Sequence, residues 1–224
     1  MAGLAALRAG AGIVRVFHKG EIGSAPMELI CQKWKAKEWN REIKRANAVF
    51  AGPGLGTGST RWMKGISLPI VIDADALQKR ARFPAQSVLT PHRGEMLRLL
   101  GLKSAPQEEE FLARCQKFAE RQHVILVLKG APTYLFAHGK PPLIIPRGDP
   151  GMATAGAGDV LTGVLAGFLA QKLDVYDAAA AGTYLHAIAG EKAAKKKTSY
   201  GLIAGDIIES LPAAFEELFS LQTK

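Results

Sequence analysis

The stretch Val124-Ile125-Leu126-Val127-Leu128 is the most strongly hydrophobic strand in the chain. Five apolar side chains in succession leave it no polar face, so it needs cover on both sides, as a central strand of a parallel sheet has. The rest of the sequence is compatible with such a sheet. Short apolar strands are expected at residues 13–17, 48–51, 69–72 and 87–90, each closed by Gly, Pro, Asp or His. Between them lie helical patterns: the end of a helix at 4–9, stopped by Gly10 and Gly12, one from Arg93 to Leu100 with Gly101 as its stop, and an amphipathic one at 108–121. Residues 26–46 also read as helical, though heavily charged and weakly periodic. Residues 134–136 and 143–145 form a hairpin pattern around His138-Gly139-Lys140, and two long helices are expected at 175–196 and 204–219. The alternation predicts one α/β domain over 1–224, with a mostly parallel central sheet and helices on both faces.

Ligand sites in such folds gather at the carboxyl ends of the strands. Four of these ends carry polar or glycine-rich segments: Gly52-Pro53-Gly54-Leu55-Gly56-Thr57-Gly58, Asp73-Ala74-Asp75, Pro91-His92-Arg93-Gly94-Glu95 and Lys129-Gly130-Ala131-Pro132-Thr133. The glycine loop is either a binding loop or a tight turn. The aspartates can orient a substrate hydroxyl or a hydrated magnesium, or serve as a turn with a helix cap. His92 is either structural or a ligand contact. Lys129 is placed to hold its ammonium over a phosphate or a nucleotide edge.

A fifth segment, Gly148-Asp149-Pro150-Gly151-Met152-Ala153-Thr154-Ala155-Gly156-Ala157-Gly158, leads into Asp159 and the apolar run 160–169. A glycine-rich turn feeding a helix offers unpaired N–H groups and the positive end of the helix dipole to an anion. A carboxylate there is a poor phosphate ligand. Asp159 is therefore either the helix N-cap or a base that takes a proton from a hydroxyl attacking the phosphate.

The chain carries 29 Lys and Arg against 20 Asp and Glu, a formal net charge of +9. Clusters at Lys192, Lys195, Lys196 and Lys197, and over Lys33, Lys35, Lys37, Arg41, Lys44 and Arg45, contribute to it. No nucleic-acid-binding signature accompanies them, so small anionic ligands are expected rather than nucleic acid. Cys31 and Cys115 make no disulfide framework and have no metal-type spacing. No apolar run reaches the length of a membrane span, and residues 1–8 are too short for a signal peptide, so a cytoplasmic protein is expected.

Taken together the motifs resemble the carbohydrate-kinase-like C-terminal domain of the YjeF type, the ADP/ATP-dependent NAD(P)H-hydrate dehydratases. The matching pieces are Gly-Pro-Gly-Leu-Gly at 52–56, Asp-Ala-Asp-Ala-Leu at 73–77, Thr-Pro-His at 90–92 with Gly94-Glu95-Met96, Leu-Lys-Gly at 128–130 with Thr133, and Gly-Met-Ala-Thr at 151–154 with Gly158-Asp159-Val160-Leu161. The resemblance implies a ribokinase-like three-layer α/β/α fold and a carbon–oxygen lyase of cofactor repair. A nucleotide phosphorylates the hydroxyl of the S epimer of NADHX or NADPHX, and phosphate leaves to restore NAD(P)H. It implies Asp159 as catalytic base and Gly156, Ala157 and Gly158 as the anion hole. Lys129, Gly130, Ala131, Pro132 and Thr133 form the nucleotide segment, and Gly54, Gly56, Asp73 and His92 meet the substrate. Mg²⁺ would bridge the phosphates of ADP or ATP, on ligands the sequence does not identify.

The same resemblance implies a homo-oligomer, a tetramer in many members, with the small-residue run 178–182 able to pack between subunits. Departures are equally specific: Asp149 for Asn, Ala157 for a hydroxyl residue, Arg93 for Pro and Gln78 for Asn. Relatives begin with a strand ahead of the helix at 4–9, so the fold is expected to lack its first strand and one wall of the substrate site. Two other readings remain open. One is a kinase of a small alcohol or vitamin precursor, and the other a nucleotide-binding paralogue without activity.

Overall fold

The computed structural model describes residues 1–56, 60–79 and 81–222, with Leu221 and Gln222 described by backbone alone. Six strands make the main sheet: β3 (Val49–Ala51), β4 (Ile70–Ile72), β5 (Ser87–Leu89), β6 (Ile125–Leu128), β7 (Thr133–Ala137) and β8 (Lys140–Ile145), in that spatial order. The first four run parallel, and β7 and β8 return antiparallel as the expected hairpin. β6 is thus central, with β5 and β7 on its two sides.

Alternation along the strands feeds two cores. Val71, Val88, Val127 and Leu135 point to one face, under α1 (Ala2–Arg8), α5 (Ala157–Ala170), α6 (Val175–Gly201) and α7 (Ala204–Gln222). Ile70, Ile72, Leu89, Leu126 and Phe136 point to the other, against α3 (Arg93–Leu100) and α4 (Glu108–Gln122). Three layers result. α5 is buried nearly all round, from Val160 to Leu169, which suits a helix held between the sheet, α1, α6 and α7.

The segment 26–46 departs from its expected helix. Residues Ile30–Lys33 form strand β2, paired in parallel with β1 (Arg15–His18), and only Ala36–Glu42 is helical, as α2. β1 also starts two residues later than expected. These two strands make a small sheet of their own. β1 and β3 border one cavity of about 1070 Å³, whose walls include Phe17, Trp34, Trp39, Phe50 and Trp62.

Within the small-residue run 178–182, part is used inside the fold and Ala181 stays exposed. Ala178, Ala179 and Gly182 are buried, and a Cβ on Gly182 would press on Leu165 of α5. No helix among the described residues is long and apolar enough to cross a membrane.

Candidate active site

Asp73 stands just past β4, and its N–H donates to Ala51 O at 2.9 Å, continuing the pairing with β3. Gly52, at φ +127°, lets the two strand ends approach, because a Cβ there would overlap the Asp73 carbonyl. Asp73 is 2% exposed. Its Oδ1 accepts from Lys129 Nζ at 2.7 Å and its Oδ2 from Thr162 Oγ1 at 3.1 Å. A buried carboxylate left unpaired is costly, so these partners are what permit it there. Lys129 follows the end of β6, where its own N–H donates to Pro91 O at 2.9 Å. Its ammonium also lies 3.9 Å from Glu95 Oε2.

His92 is the N-cap of α3. Its Nδ1 accepts from the N–H groups of Gly94 at 3.0 Å and Glu95 at 3.3 Å, while Glu95 Oε2 accepts from the His92 N–H at 2.8 Å. This reciprocal box fills orphan donors at the helix start. The imidazole edge with Nε2 remains 3.5 Å from Glu95 Oε1, on a side chain 59% exposed. His92 thus has a structural role, and Glu95 stands between its ring and Lys129.

Facing this cluster is the first turn of α5. Gly156 is its N-cap at φ +89°, a conformation favouring glycine, so Asp159 is not the cap but the third residue of the helix. A Cβ on Gly158 would sit 3.2 Å from Lys129 Nζ and 3.4 Å from Asp73 Oδ2. Glycine at 158 therefore lets the first turn of α5 approach the Lys129–Asp73 pair closely. Asp159 is half-buried, and burial raises its pKa above the usual carboxylate value. Asp73 reinforces the rise, while the Met1 amino group and Lys129 oppose it. His186 supports the turn from beneath, its Nε2 3.0 Å from Ala157 O.

The remaining expected residues surround this centre. Gly130, Ala131, Pro132 and Thr133 run on from Lys129 into β7, with the Ala131–Pro132 bond cis and Thr133 Oγ1 donating to Gly130 O at 3.0 Å. Gly54 and Gly56 both have positive φ, and the Gly56 N–H donates to Asp75 Oδ2 at 2.9 Å. Asp75 is thus tied to the glycine loop, while Asp73 turns into the core. Thr57 and Gly58, at the far end of the loop, lie outside the described residues. Asp149 caps the turn Pro150–Met152, accepting from the Gly151 N–H at 2.8 Å and from Ser199 Oγ at 2.9 Å.

Direct contacts therefore join Asp73, Glu95, Lys129 and Thr162, with Gly158 above them and Asp159 coupled by charge. Thr162 and His186 were not singled out in the sequence. Thr162 lies one turn beyond Asp159 as a lone hydroxyl in an apolar helix, and that was its only signal. No group of three His, Cys, Asp or Glu able to hold a metal occurs among the described residues. The convergence of helix amides, an ammonium and a carboxylate of raised pKa can seat a phosphoryl group and accept a proton beside it.

Comparison with known proteins gives the family and the fold. The family model described as NAD(P)H-hydrate dehydratase matches residues 1–213. A bifunctional NAD(P)H-hydrate repair enzyme of Coxiella burnetii is 37% identical over 94% of this chain and 46% of its own. The chain spans about half the length of the curated bifunctional relatives it matches. The ADP-dependent (S)-NAD(P)H-hydrate dehydratase of Xanthomonas campestris is 30% identical over 97% of this chain and 83% of its own. Among solved structures, the ADP/ATP-dependent NAD(P)H-hydrate dehydratase of Bacillus subtilis, co-crystallised with ATP and Mg²⁺, is similar at a TM-score of 0.80. It is 25% identical, over 96% of this chain and 83% of that one. A ribokinase-like superfamily protein of Enterococcus faecalis gives a TM-score of 0.79 and 28% identity, over 96% and 81%. The fold is accordingly ribokinase-like.

Proposed function

The chain belongs to the NAD(P)H-hydrate dehydratase family, and from that premise we propose that it converts (S)-NAD(P)H hydrate to NAD(P)H at the expense of ADP or ATP. The observation that carries the reading is the approach of the first turn of α5, at Gly158, to the Lys129 ammonium, with the Asp159 carboxylate beside it. Hydroxide is a poor leaving group and phosphate a good one, so phosphorylating the hydrate's hydroxyl makes the dehydration feasible.

Asp159 takes the hydroxyl proton as the oxygen attacks the terminal phosphoryl group. Its raised pKa makes it a better proton acceptor than an ordinary surface aspartate. In this reading the N–H groups of Gly156, Ala157 and Gly158, of which Ala157 donates to Thr154 O at 3.3 Å in the structure, and the ammonium of Lys129 would meet the charge that develops on the phosphoryl oxygens. Residues 129–133 hold the nucleotide, and Gly54, Gly56, Asp73 and His92 line the substrate side. Mg²⁺ neutralises the phosphates when bound, with phosphate oxygens and water as most of its shell.

With ADP as donor the products are AMP, phosphate and the restored dinucleotide. The single domain 1–224 carries this site in a cytoplasmic enzyme that assembles as a homo-oligomer.

Recovery of absorbance at 340 nm from NADHX or NADPHX, with Mg²⁺ and ADP or ATP, tests the reading. Asp159→Asn should lower the rate by about 10²–10⁴-fold, the usual worth of a general base. Nucleotide binding without recovery from either hydrate would overturn the enzymatic reading in favour of a binding protein of the same fold.

A further inference from the structure

A nucleotide brings a flat base as well as phosphates, and amides at a helix start hold only the phosphates. The turn that leads into α5 has a second segment fixed against it, from the end of α6 to the start of α7. Ser199 Oγ donates to Asp149 Oδ2 at 2.9 Å, and a Cβ on Gly151 would overlap the Ser199 carbonyl. At the far end of the turn, a Cβ on Gly156 would lie 3.1 Å from Ala204 Cβ. Residues 199–204 are therefore held beside the α5 start at both of their ends.

The segment leaves an aromatic ring in water at this place. Thr198, at φ +67°, breaks the helical path of α6, a conformation rare for a β-branched residue. Two residues on, Tyr200 is fully exposed, and Ile203 is exposed as well, while Leu202 between them is buried in the core. A cavity of about 480 Å³ opens beside Tyr200, with Asp149, Lys195, Thr198 and Ser199 in its wall. Asp149 borders this cavity and also caps the turn Pro150–Met152, so the cavity adjoins the turn that precedes α5.

We propose that Tyr200 is the platform for the nucleotide base, with the phosphates on the first turn of α5 and the purine ring stacked on the phenol at the edge of this cavity. The inference rests on the reading of α5 as the phosphate site and adds a base subsite to it. Stacking removes water from one face of each ring, a gain that an exposed aromatic side chain has not yet made within the protein. The cavity wall carries an ammonium at Lys195 and a carboxylate at Asp149, so both acceptors and donors on a base edge find partners there. The larger π face of a purine gains more from such a platform than that of a pyrimidine.

The test compares a nucleotide with the same phosphates lacking a base. Calorimetric titration with ADP and with inorganic pyrophosphate, both in the presence of Mg²⁺, should show ADP binding the wild-type protein more tightly. Tyr200→Ala should weaken ADP by about 10-fold, the loss of one base–aromatic stack, and leave pyrophosphate where it was. Tyr200→Phe, which keeps the ring and loses only the hydroxyl, should bind ADP as the wild type does. The preference for ADP over CDP should shrink in Tyr200→Ala. Equal urea midpoints for the three proteins, expected for an exposed side chain, would place these effects in the binding site rather than in folding.

ADP affinity unchanged in Tyr200→Ala would overturn the proposal and put the base elsewhere. ADP and pyrophosphate weakening in step would overturn it too, since Tyr200 would then act through the shape of the turn. A wild-type protein that binds neither ADP nor pyrophosphate refutes the phosphate site at α5 itself, and the Tyr200 proposal falls with it.

Discussion

His186 shows how one buried side chain ties the site to the pH of the medium. It lies beneath the first turn of α5 with Nε2 against the Ala157 carbonyl, and burial pulls its pKa down to about 4. The unfolded chain takes up a proton near pH 6.5 that the folded chain refuses until about pH 4. The stability tied to neutral His186 is thus fully present above pH 6.5 and is lost as pH falls through that window. The loss should approach about 3 kcal/mol. Urea unfolding at pH 7 and pH 4.5 measures it, and His186→Gln should flatten the dependence between the two. Asp159 was legible as a site residue because glycines and a helix start surround it in sequence. His186 and Thr162 were not, since a polar residue inside an apolar helix gives no sign of what it will face.

Helix α1 is only seven residues long, too short to persist without tertiary support. It is held by α5 through glycine. A Cβ on Gly163 would overlap the Ala2 carbonyl and sit 2.7 Å from Ala5 Cβ, and one on Gly167 would lie 2.8 Å from Ala9 Cβ. Backbone cannot yield as a flexible side chain does. Gly163→Ala should therefore cost about 1–3 kcal/mol despite its better helix propensity. Gly205→Ala, in α7 where nothing lies within 4 Å, should be neutral or stabilising. The comparison in urea isolates helix contact from propensity. At this scale α3, α4, α5 and the hairpin were legible, each having a periodic pattern with a stop or turn signal. The segment 26–46 was not, because β2 is four residues long, half of them polar, and specified by pairing with β1.

The whole molecule is a six-stranded sheet with a small two-stranded sheet joined to it across an aromatic cluster. Trp39 packs against Phe17, Trp34 and Trp62 with ring centroids 5.0–5.6 Å apart. These rings lie along the cavity between β1 and β3, so the small sheet has fewer packed neighbours than the main one. Trp39→Ala should lower stability by about 2–3 kcal/mol, less than a fully buried ring, and the loss should be local. Hydrogen exchange would then quicken at β1 and β2 while the amides of β4, β5 and β6 keep their protection. Uniform loss across both sheets would mean that they unfold as one unit.

The sequence by itself determined which stretches are strands and helices on the main sheet and that glycine-rich and acidic segments cluster at strand ends. It also placed Asp159 at the start of a buried helix. Those properties follow from side-chain periodicity and backbone conformation, which are local. The tertiary structure decided the rest: the separate small sheet, the packing of α1 onto glycines, and the meeting of Asp73 with Lys129 and Thr162. The last two lie 56 and 89 residues from Asp73 along the chain. Strand order and the angle of α5 across the sheet bring them together, and no local window of sequence contains either.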